Sequence, residues 1–297
     1  MKKYLDPRAY QTFKKVFGEH KDLLISFLNA LLPLPPGKEI VYLEYLTPKL
    51  GHESSVLRDS MMDVRCKDTA GRHFVVEMHM YWTETFMKHA LLDTCKAYTR
   101  QTERGEKYDE PKSVYTLSLV NDIAFPEYPD EFYHELVPTY KNHANHIIDD
   151  FSMIFVELPK FKPQNVADKK MMVLWLRYLT EINEKTREVD AELLADPRLE
   201  KALSIVEESA YTEAEMWAID KYWDMVSRER TAIYEADVRG RAEGLAEGME
   251  KGMEKGRVEG RAEATRENAL NLKRNGVPVE LISKSLGLTM EEVDALG

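Results

Sequence analysis

The sequence predicts an α/β domain with a mixed central sheet flanked by helices, followed by a long helical C-terminal extension. Strand-like segments rich in β-branched, aromatic and methionine side chains occupy much of residues 39–158, and one helical segment separates them. After Pro163 the composition becomes helical and stays so to the end of the chain. Strands that alternate with helices in this way form a sheet covered by helices.

The predicted elements follow in the order helix, three strands, helix and two strands. Apolar residues three or four positions apart, from Phe13 to Leu32, predict one long amphipathic helix. The segment LLPLPPG ends it, because proline cannot continue a helix. Strands are predicted at 39–46, 58–66, 72–82, 113–125 and 151–158, with a helix at 84–104.

The 297 residues suffice for one large domain and an appendage. We expect a core over residues 1–165, a helical extension over 166–210 that packs on the core, and a helical arm over 211–297. The net charge is −11, although residues 1–110 carry 17 basic and 16 acidic side chains. This balance argues against a protein that coats nucleic acid throughout, and it still permits a local basic face.

The two cysteines, Cys66 and Cys95, form no CxxC pattern, which indicates a reducing compartment without a disulfide framework. The basic N-terminal residues precede no apolar run, so we expect no signal peptide. Nor does any segment reach the roughly 18 apolar residues that a membrane span needs. We therefore expect a cytoplasmic protein that does not bind membranes.

The predicted arm begins at a capping-box pattern, Thr212 and Glu215. Glycines then recur every fourth residue, at 240, 244, 248, 252, 256 and 260. In an isolated helix they would cost on the order of 6 kcal/mol relative to alanine. Two interpretations remain open: a loosely helical charged tether, or a helix that approaches a partner closely along its glycines. The last 29 residues have a helix-turn-helix outline. Its acidic final helix favours a packing or partner module over a DNA reader.

One predicted hairpin, VRCKDTAGRHFVVEMHMYW at 64–82, has an unusual polar pattern. Gly71 suits the left-handed end of a three-residue loop, which places Asp68 opposite Arg72. That register places Asp63 opposite Glu77. Strand alternation puts Glu77 and His79 on one face.

Two carboxylates directly across a ladder repel each other unless a cation offsets their charge. A Mg²⁺ ion held by Asp63 and Glu77 would do so, and it could activate a water for attack on a phosphodiester. His79 could orient or deprotonate that water, or act as a further ligand. The alternative is a solvated strand face on which Arg65 neutralises the acids.

Other segments carry less chemistry. HANHIIDD at 143–150 spaces two histidines and two aspartates as metal ligands are spaced, yet it is more typical of a solvated loop. Trp175 and Tyr178 are expected in the core. The sequence has no Walker P-loop, and it has no GxGxxG after a strand, so we expect no nucleotide cofactor.

Several stretches together resemble the PD-(D/E)XK phosphodiesterases and, more narrowly, the Rpn family of recombination-promoting nucleases and transposase-like proteins. The stretches are FKKVFG (13–18), RDSMMDVRCKDTAGRHFVVEM (58–78), QTERGEKY (101–108), FVELPKF (155–161) and the Gly/Glu/Arg tail. The resemblance covers nearly the whole chain. It implies a restriction-endonuclease-like core that cleaves DNA with Mg²⁺ or Mn²⁺, in recombination or mobile elements.

The resemblance also implies residue roles. Asp63 and Glu77 match the metal ligands on the second and third strands, and His79 stands where the superfamily has lysine and these relatives often have glutamine. Glu19 is the nearest match to an acidic ligand on the first helix. Tyr98 and Gln101 could face the site, or they could pack and cap the sheet.

Paired DNA cuts fit a homodimer, which we expect to form through the arm. The departure at His79 leaves an alternative: a weakened or inactive nuclease fold that binds DNA or a partner and assembles through the arm.

Overall fold

The computed structural model describes residues 2–46, 62–101, 111–163 and 170–297, without the side chains of Met62, Asp63 and Glu84. The chain forms an α/β fold around a six-stranded mixed sheet. The strands of the described ranges are β1 (Leu43–Tyr45), β2 (Met62–Asp68), β3 (His73–His79), β4 (Val114–Val120), β5 (Tyr133–Leu136), β6 (Thr139–Tyr140), β7 (His143–Ile147) and β8 (Phe151–Glu157).

The main sheet has the strand order β1-β2-β3-β4-β8-β5, and β6 and β7 form a separate hairpin. β3, β4 and β8 run parallel, whereas β1, β2 and β5 pair antiparallel with their neighbours. The predicted mixed sheet is therefore confirmed. The predicted strand at 113–125 is too long, because the Asp122 carboxylate accepts hydrogen bonds from the Trp82 and Ile123 amides and turns the chain after Val120.

The α-helices within the described ranges are α1 (Tyr10–Phe13), α2 (Lys21–Leu31), α3 (Glu84–Thr99), α4 (Lys170–Glu181), α5 (Ala191–Ala195), α6 (Pro197–Ile205), α7 (Glu213–Arg274), α8 (Val279–Leu286) and α9 (Met290–Asp294). A single helix from Phe13 to Leu32 is wrong. The π-helical segment Lys14–Gly18 follows α1, and His20 has an extended backbone before α2 begins. Gly18 is a poor helix former, and π-helical turns interrupt the regular ladder of hydrogen bonds.

One face of the sheet packs against two groups of helices, one that precedes β1 in the sequence and one that follows β8. Phe17 lies with its ring centroid 4.5 Å from that of Phe27 and 5.5 Å from that of Trp175. Phe74 and Val76 of β3 belong to the same buried cluster. The alternation predicted for β3 is confirmed on this face, as is the core position of Trp175.

The opposite face of β3, β4 and β8 is covered by α3. Phe86 and Ala90 of this helix pack against Val120 and Phe155, and Ala97 packs against Val75. Glu77 and His79 point to this face, since Val75 lies two residues before Glu77 on the same strand.

The chain divides into two compact units, Met1–Arg228 and Glu229–Gly297. In the second unit, Ala269, Ile282 and Val293 form a small core, and turns at Gly276 and Gly287 have positive φ. The predicted helix-turn-helix outline is thus present. None of the described helices is long and apolar enough to cross a membrane.

Both cysteines are free thiols. Cys66 on β2 is buried, and burial raises the pKa of its thiol to about 12. Cys95 on α3 is partly buried.

Candidate active site

The β2–β3 hairpin places Asp63 directly opposite Glu77. The turn between the strands sets this register: the Asp68 amide donates to the Arg72 carbonyl at 3.1 Å, and Gly71 takes a φ of 81°. The Asp68 carboxylate also accepts from the Arg72 amide and guanidinium. The predicted register is therefore confirmed, whereas the Asp63 side chain lies outside the described part of the structure.

Glu77 is a buried carboxylate, with 3% of the residue exposed. Its Oε2 atom lies 3.3 Å from His79 Nε2 and 3.5 Å from Ser118 Oγ. Ser118 is the direct neighbour of Glu77 in the parallel ladder between β3 and β4. A buried carboxylate is costly unless polar groups surround it, so these contacts help to offset its burial.

His79 is also buried, and its ring packs on Phe86 with the centroids 3.8 Å apart. Its carbonyl accepts a hydrogen bond from the Asn121 amide at 2.8 Å, which fixes the end of β3 beside the end of β4. The imidazole therefore has Glu77 as its polar neighbour and an aromatic ring against its face.

An aromatic wall lies beside this polar group. The Trp82 ring packs against Phe86, Phe125 and Phe155 at centroid distances of 5.0 to 5.9 Å. Such a wall lowers the local dielectric, and charges in a low dielectric interact more strongly than they do in water. His79 thus lies between the Glu77 carboxylate and this apolar surface.

The donor chemistry at the hairpin fits a hard divalent cation. Asp63 and Glu77 occupy directly opposite positions of the ladder, and both residue types supply the carboxylate oxygens that Mg²⁺ prefers. Among the side chains that the structure describes, no three His, Cys, Asp or Glu residues are grouped so that they could hold a metal. Of the two carboxylates, only that of Glu77 is among those side chains.

A family model described as PD-(D/E)XK nuclease family transposase matches residues 8–236. The chain belongs to this family. Comparisons with curated proteins and with solved structures return no match. The matched range includes the whole six-stranded sheet of this PD-(D/E)XK protein and ends before the first glycine of the repeat, Gly240.

Membership confirms the PD-(D/E)XK resemblance and the restriction-endonuclease-like fold class. PD-(D/E)XK nucleases generally use divalent metal ions and act on DNA. In this member, β2 carries Asp63, and β3 carries Glu77 and His79.

Glu19, a further candidate ligand, is exposed and follows the π-helical segment. It interacts electrostatically with Tyr45 and Tyr211. Among the described side chains, it does not form a metal-binding group with Glu77 and His79.

Tyr98 and Gln101 lie toward the other end of the sheet. Tyr98 packs on Val114 and stacks near Phe151, with centroids 4.8 Å apart. Gln101 donates to the Lys112 carbonyl and accepts from the Lys112 amide, at 2.8 and 2.7 Å. Lys112 precedes Ser118 by six residues, or roughly 20 Å along an extended chain. In the structure these side chains pack and cap the sheet.

The HANHIIDD segment forms β7 and the turn after it, so it is a strand at the point where a loop was expected. His143 and His146 are exposed, and Tyr140 packs on His146 with centroids 4.3 Å apart. This segment shows no metal-binding group among its described side chains.

Sequence reasoning missed Ser118. The signal was present, because Thr116 and Ser118 place hydroxyls two residues apart in an otherwise apolar strand. Which strand would pair with β3 was not evident from the sequence, so the contact between Ser118 and Glu77 could not be predicted.

Proposed function

We propose that this protein is a metal-dependent endonuclease that hydrolyses DNA phosphodiester bonds. The observation that carries the proposal is the direct pairing of Asp63 with Glu77 at adjacent strands of a PD-(D/E)XK domain. Two acidic residues opposite each other gain nothing for the sheet, because like charges across a ladder destabilise it. A cation bound between the two carboxylates would offset this repulsion.

In this proposal Asp63 and Glu77 hold Mg²⁺ or Mn²⁺, and Glu19 is a further candidate ligand. When bound, the ion would supply charge that neutralises the phosphate and would activate the attacking water. Glu77 contributes a carboxylate in a fixed position, because His79 and Ser118 both contact its Oε2 atom. His79 contacts Glu77 through Nε2, and the other nitrogen of its imidazole is the proposed acceptor of a proton from the attacking water.

The Rpn resemblance supports a role in recombination or mobile elements, which we include in the proposal. Free cysteines and a DNA substrate support a cytoplasmic location. The proposed core covers residues 1–165, with the helical extension 166–210 and the arm 211–297.

We further propose a homodimer that forms through the arm. Every residue from 229 to 264 is exposed, although this stretch contains six glycines at which a helix loses about 1 kcal/mol each. Isolated helices of such composition are marginal in water, since most helical stability comes from packing. A second copy of the arm would supply that packing.

The first test is cleavage of supercoiled plasmid with Mg²⁺ or Mn²⁺, with EDTA as the metal-free control. Wild type should nick the plasmid, and Asp63→Ala and Glu77→Ala should not. Glu44→Gln is a matched control, because Glu44 is an exposed strand carboxylate that pairs with Lys67 at 3.2 Å. Metal-dependent nicking by wild type and Glu44→Gln alone supports the site. Equal cutting by all four proteins would overturn it.

A second candidate function is DNA or partner binding by a nuclease fold with weakened catalysis. The observation that favours it is His79, which stands at the lysine position and contacts Glu77 inside the protein. In that case wild type would bind DNA without cutting it, and Glu77→Ala would bind equally well.

A further inference from the structure

Ser118 lies at the centre of the site face, on the strand next to Glu77. It is completely buried, and it pairs with Glu77 in the parallel ladder between β3 and β4. Its Oγ atom is 3.5 Å from Glu77 Oε2, at the long end of the hydrogen-bond range. When Glu77 is ionised, its carboxylate can only accept, so the hydroxyl of Ser118 is the donor.

The same Glu77 oxygen is contacted from a second direction. His79 Nε2 lies 3.3 Å from Oε2, along the same strand, whereas Ser118 approaches from the neighbouring strand. The terminal torsion of a glutamate is soft, so a carboxylate without such contacts would rotate freely. Two contacts on one oxygen restrict that rotation.

We propose that Ser118 is a positioning residue for Glu77, whose hydroxyl holds the carboxylate in the orientation that a divalent cation requires. The inference rests on the proposed function, since it needs Glu77 to be a metal ligand. Groups that hydrogen-bond a metal ligand typically contribute 10- to 100-fold to metal affinity.

The strand provides its own control for the loss of a buried hydroxyl. Thr116 is completely buried two residues before Ser118, on the same face of β4. Its hydroxyl lies 2.7 Å from that of Thr94, which donates to the Ala90 carbonyl. The Thr116 hydroxyl therefore donates to Thr94 of α3, whereas the Ser118 hydroxyl donates to Glu77.

The experiment is calorimetric titration of Mn²⁺ into the full-length protein without DNA. Ser118→Ala should weaken Mn²⁺ binding about tenfold or more relative to wild type. Ser118→Thr, which keeps the hydroxyl, and Thr116→Val should bind as wild type does. In plasmid cleavage, Ser118→Ala should need more Mn²⁺ and approach the wild-type rate at saturation. Should Ser118→Ala fail to fold, Ser118→Cys replaces the hydroxyl with a somewhat larger and weaker donor and should also weaken binding.

The outcomes separate this inference from the proposed function. If wild type and Ser118→Ala bind Mn²⁺ equally well, the proposed role of Ser118 is overturned and the metal site is retained. A loss in Thr116→Val as large as that in Ser118→Ala overturns it too, because packing alone would then explain the effect. Wild type that binds no Mn²⁺ overturns the metal site and the role of Ser118 together.

Discussion

The Lys160 ammonium group donates a hydrogen bond to Glu157 Oε2 at 2.7 Å, and both side chains are almost completely buried. The remaining polar atoms of the pair are also satisfied. Lys160 donates to the carbonyls of Phe125 and Tyr128, while Glu157 accepts from two backbone amides and contacts His134 at 2.8 Å. The pair thus joins the end of β8 to the segment that follows β4.

Breaking this pair should destabilise the protein strongly. Lys160→Met removes the buried ammonium group that pairs with the Glu157 carboxylate. Breaking a buried ion pair in this way typically lowers the free energy of unfolding by about 3–5 kcal/mol. Lys201→Met is the matched control, because Lys201 pairs with Asp22 at 2.8 Å on the surface and should contribute about 1 kcal/mol or less. Urea unfolding of the three proteins measures the difference. Similar losses in both variants would contradict the importance of burial here.

Substitutions of His79 should show whether cleavage depends on its imidazole and how it responds to an ammonium group at the same position. His79→Ala removes the contact with Glu77 and the proposed proton acceptor, so cleavage should slow on the order of 100-fold. His79→Lys places an ammonium beside Glu77, as the proposed match to the superfamily's lysine requires, so cleavage should be at least as fast as in wild type. His89→Lys, on the exposed side of α3, controls for added charge. Initial nicking rates test the series, and wild-type rates in His79→Ala would exclude a role for the imidazole.

The start of α7 should respond to acid. Hydrogen bonds from the Thr212 amide, the Lys15 ammonium and the Thr212 hydroxyl lower the pKa of Glu215 to about 2. A lowered pKa in the folded state stabilises the protein above the unfolded value of about 4.5, and that contribution disappears as the pH falls toward about 2. Glu215→Gln should therefore flatten the pH dependence of Tm between about pH 5 and 2. Parallel Tm curves for wild type and Glu215→Gln would count against the capping box.

Alanine at Gly248 and Gly252 should distinguish a free arm from a paired one. A Cβ atom added at either position meets nothing within 4 Å in the single chain, so each change should stabilise an isolated helix by about 1 kcal/mol. If a second arm packs closely on these glycines, the added methyl groups should instead weaken dimerisation. Light scattering across a concentration series, together with helicity by circular dichroism, measures both effects. A gain in helicity with no loss of dimer would contradict close packing on these glycines, and a wild type that stays monomeric at every concentration would contradict the proposed dimer.

Local chemistry made much of the site predictable. Gly71 and the Asp68–Arg72 pairing define the hairpin, and the two-residue period of a strand then places Asp63 opposite Glu77 and His79 on the same face. These relationships depend on neighbours in sequence, which a single chain displays directly.

Long-range contacts were not predictable in the same way. Ser118 and Glu77 are 41 residues apart, and only the order of strands in the sheet brings them together. The interruption of the first helix at Gly18 was missed because apolar spacing continues through it. The β6–β7 hairpin was missed because its strands are short and exposed, so burial leaves no periodic signal.

The two thiols differ in burial, so a thiol reagent should label one of them selectively. Thiol reagents attack the thiolate, and a buried Cys66 with a pKa of about 12 offers almost none at neutral pH. Cys95, on the helix that covers the candidate site, is the more accessible of the two. A maleimide dye or spin label should therefore modify the native protein at α3 without any cysteine having to be removed by mutation.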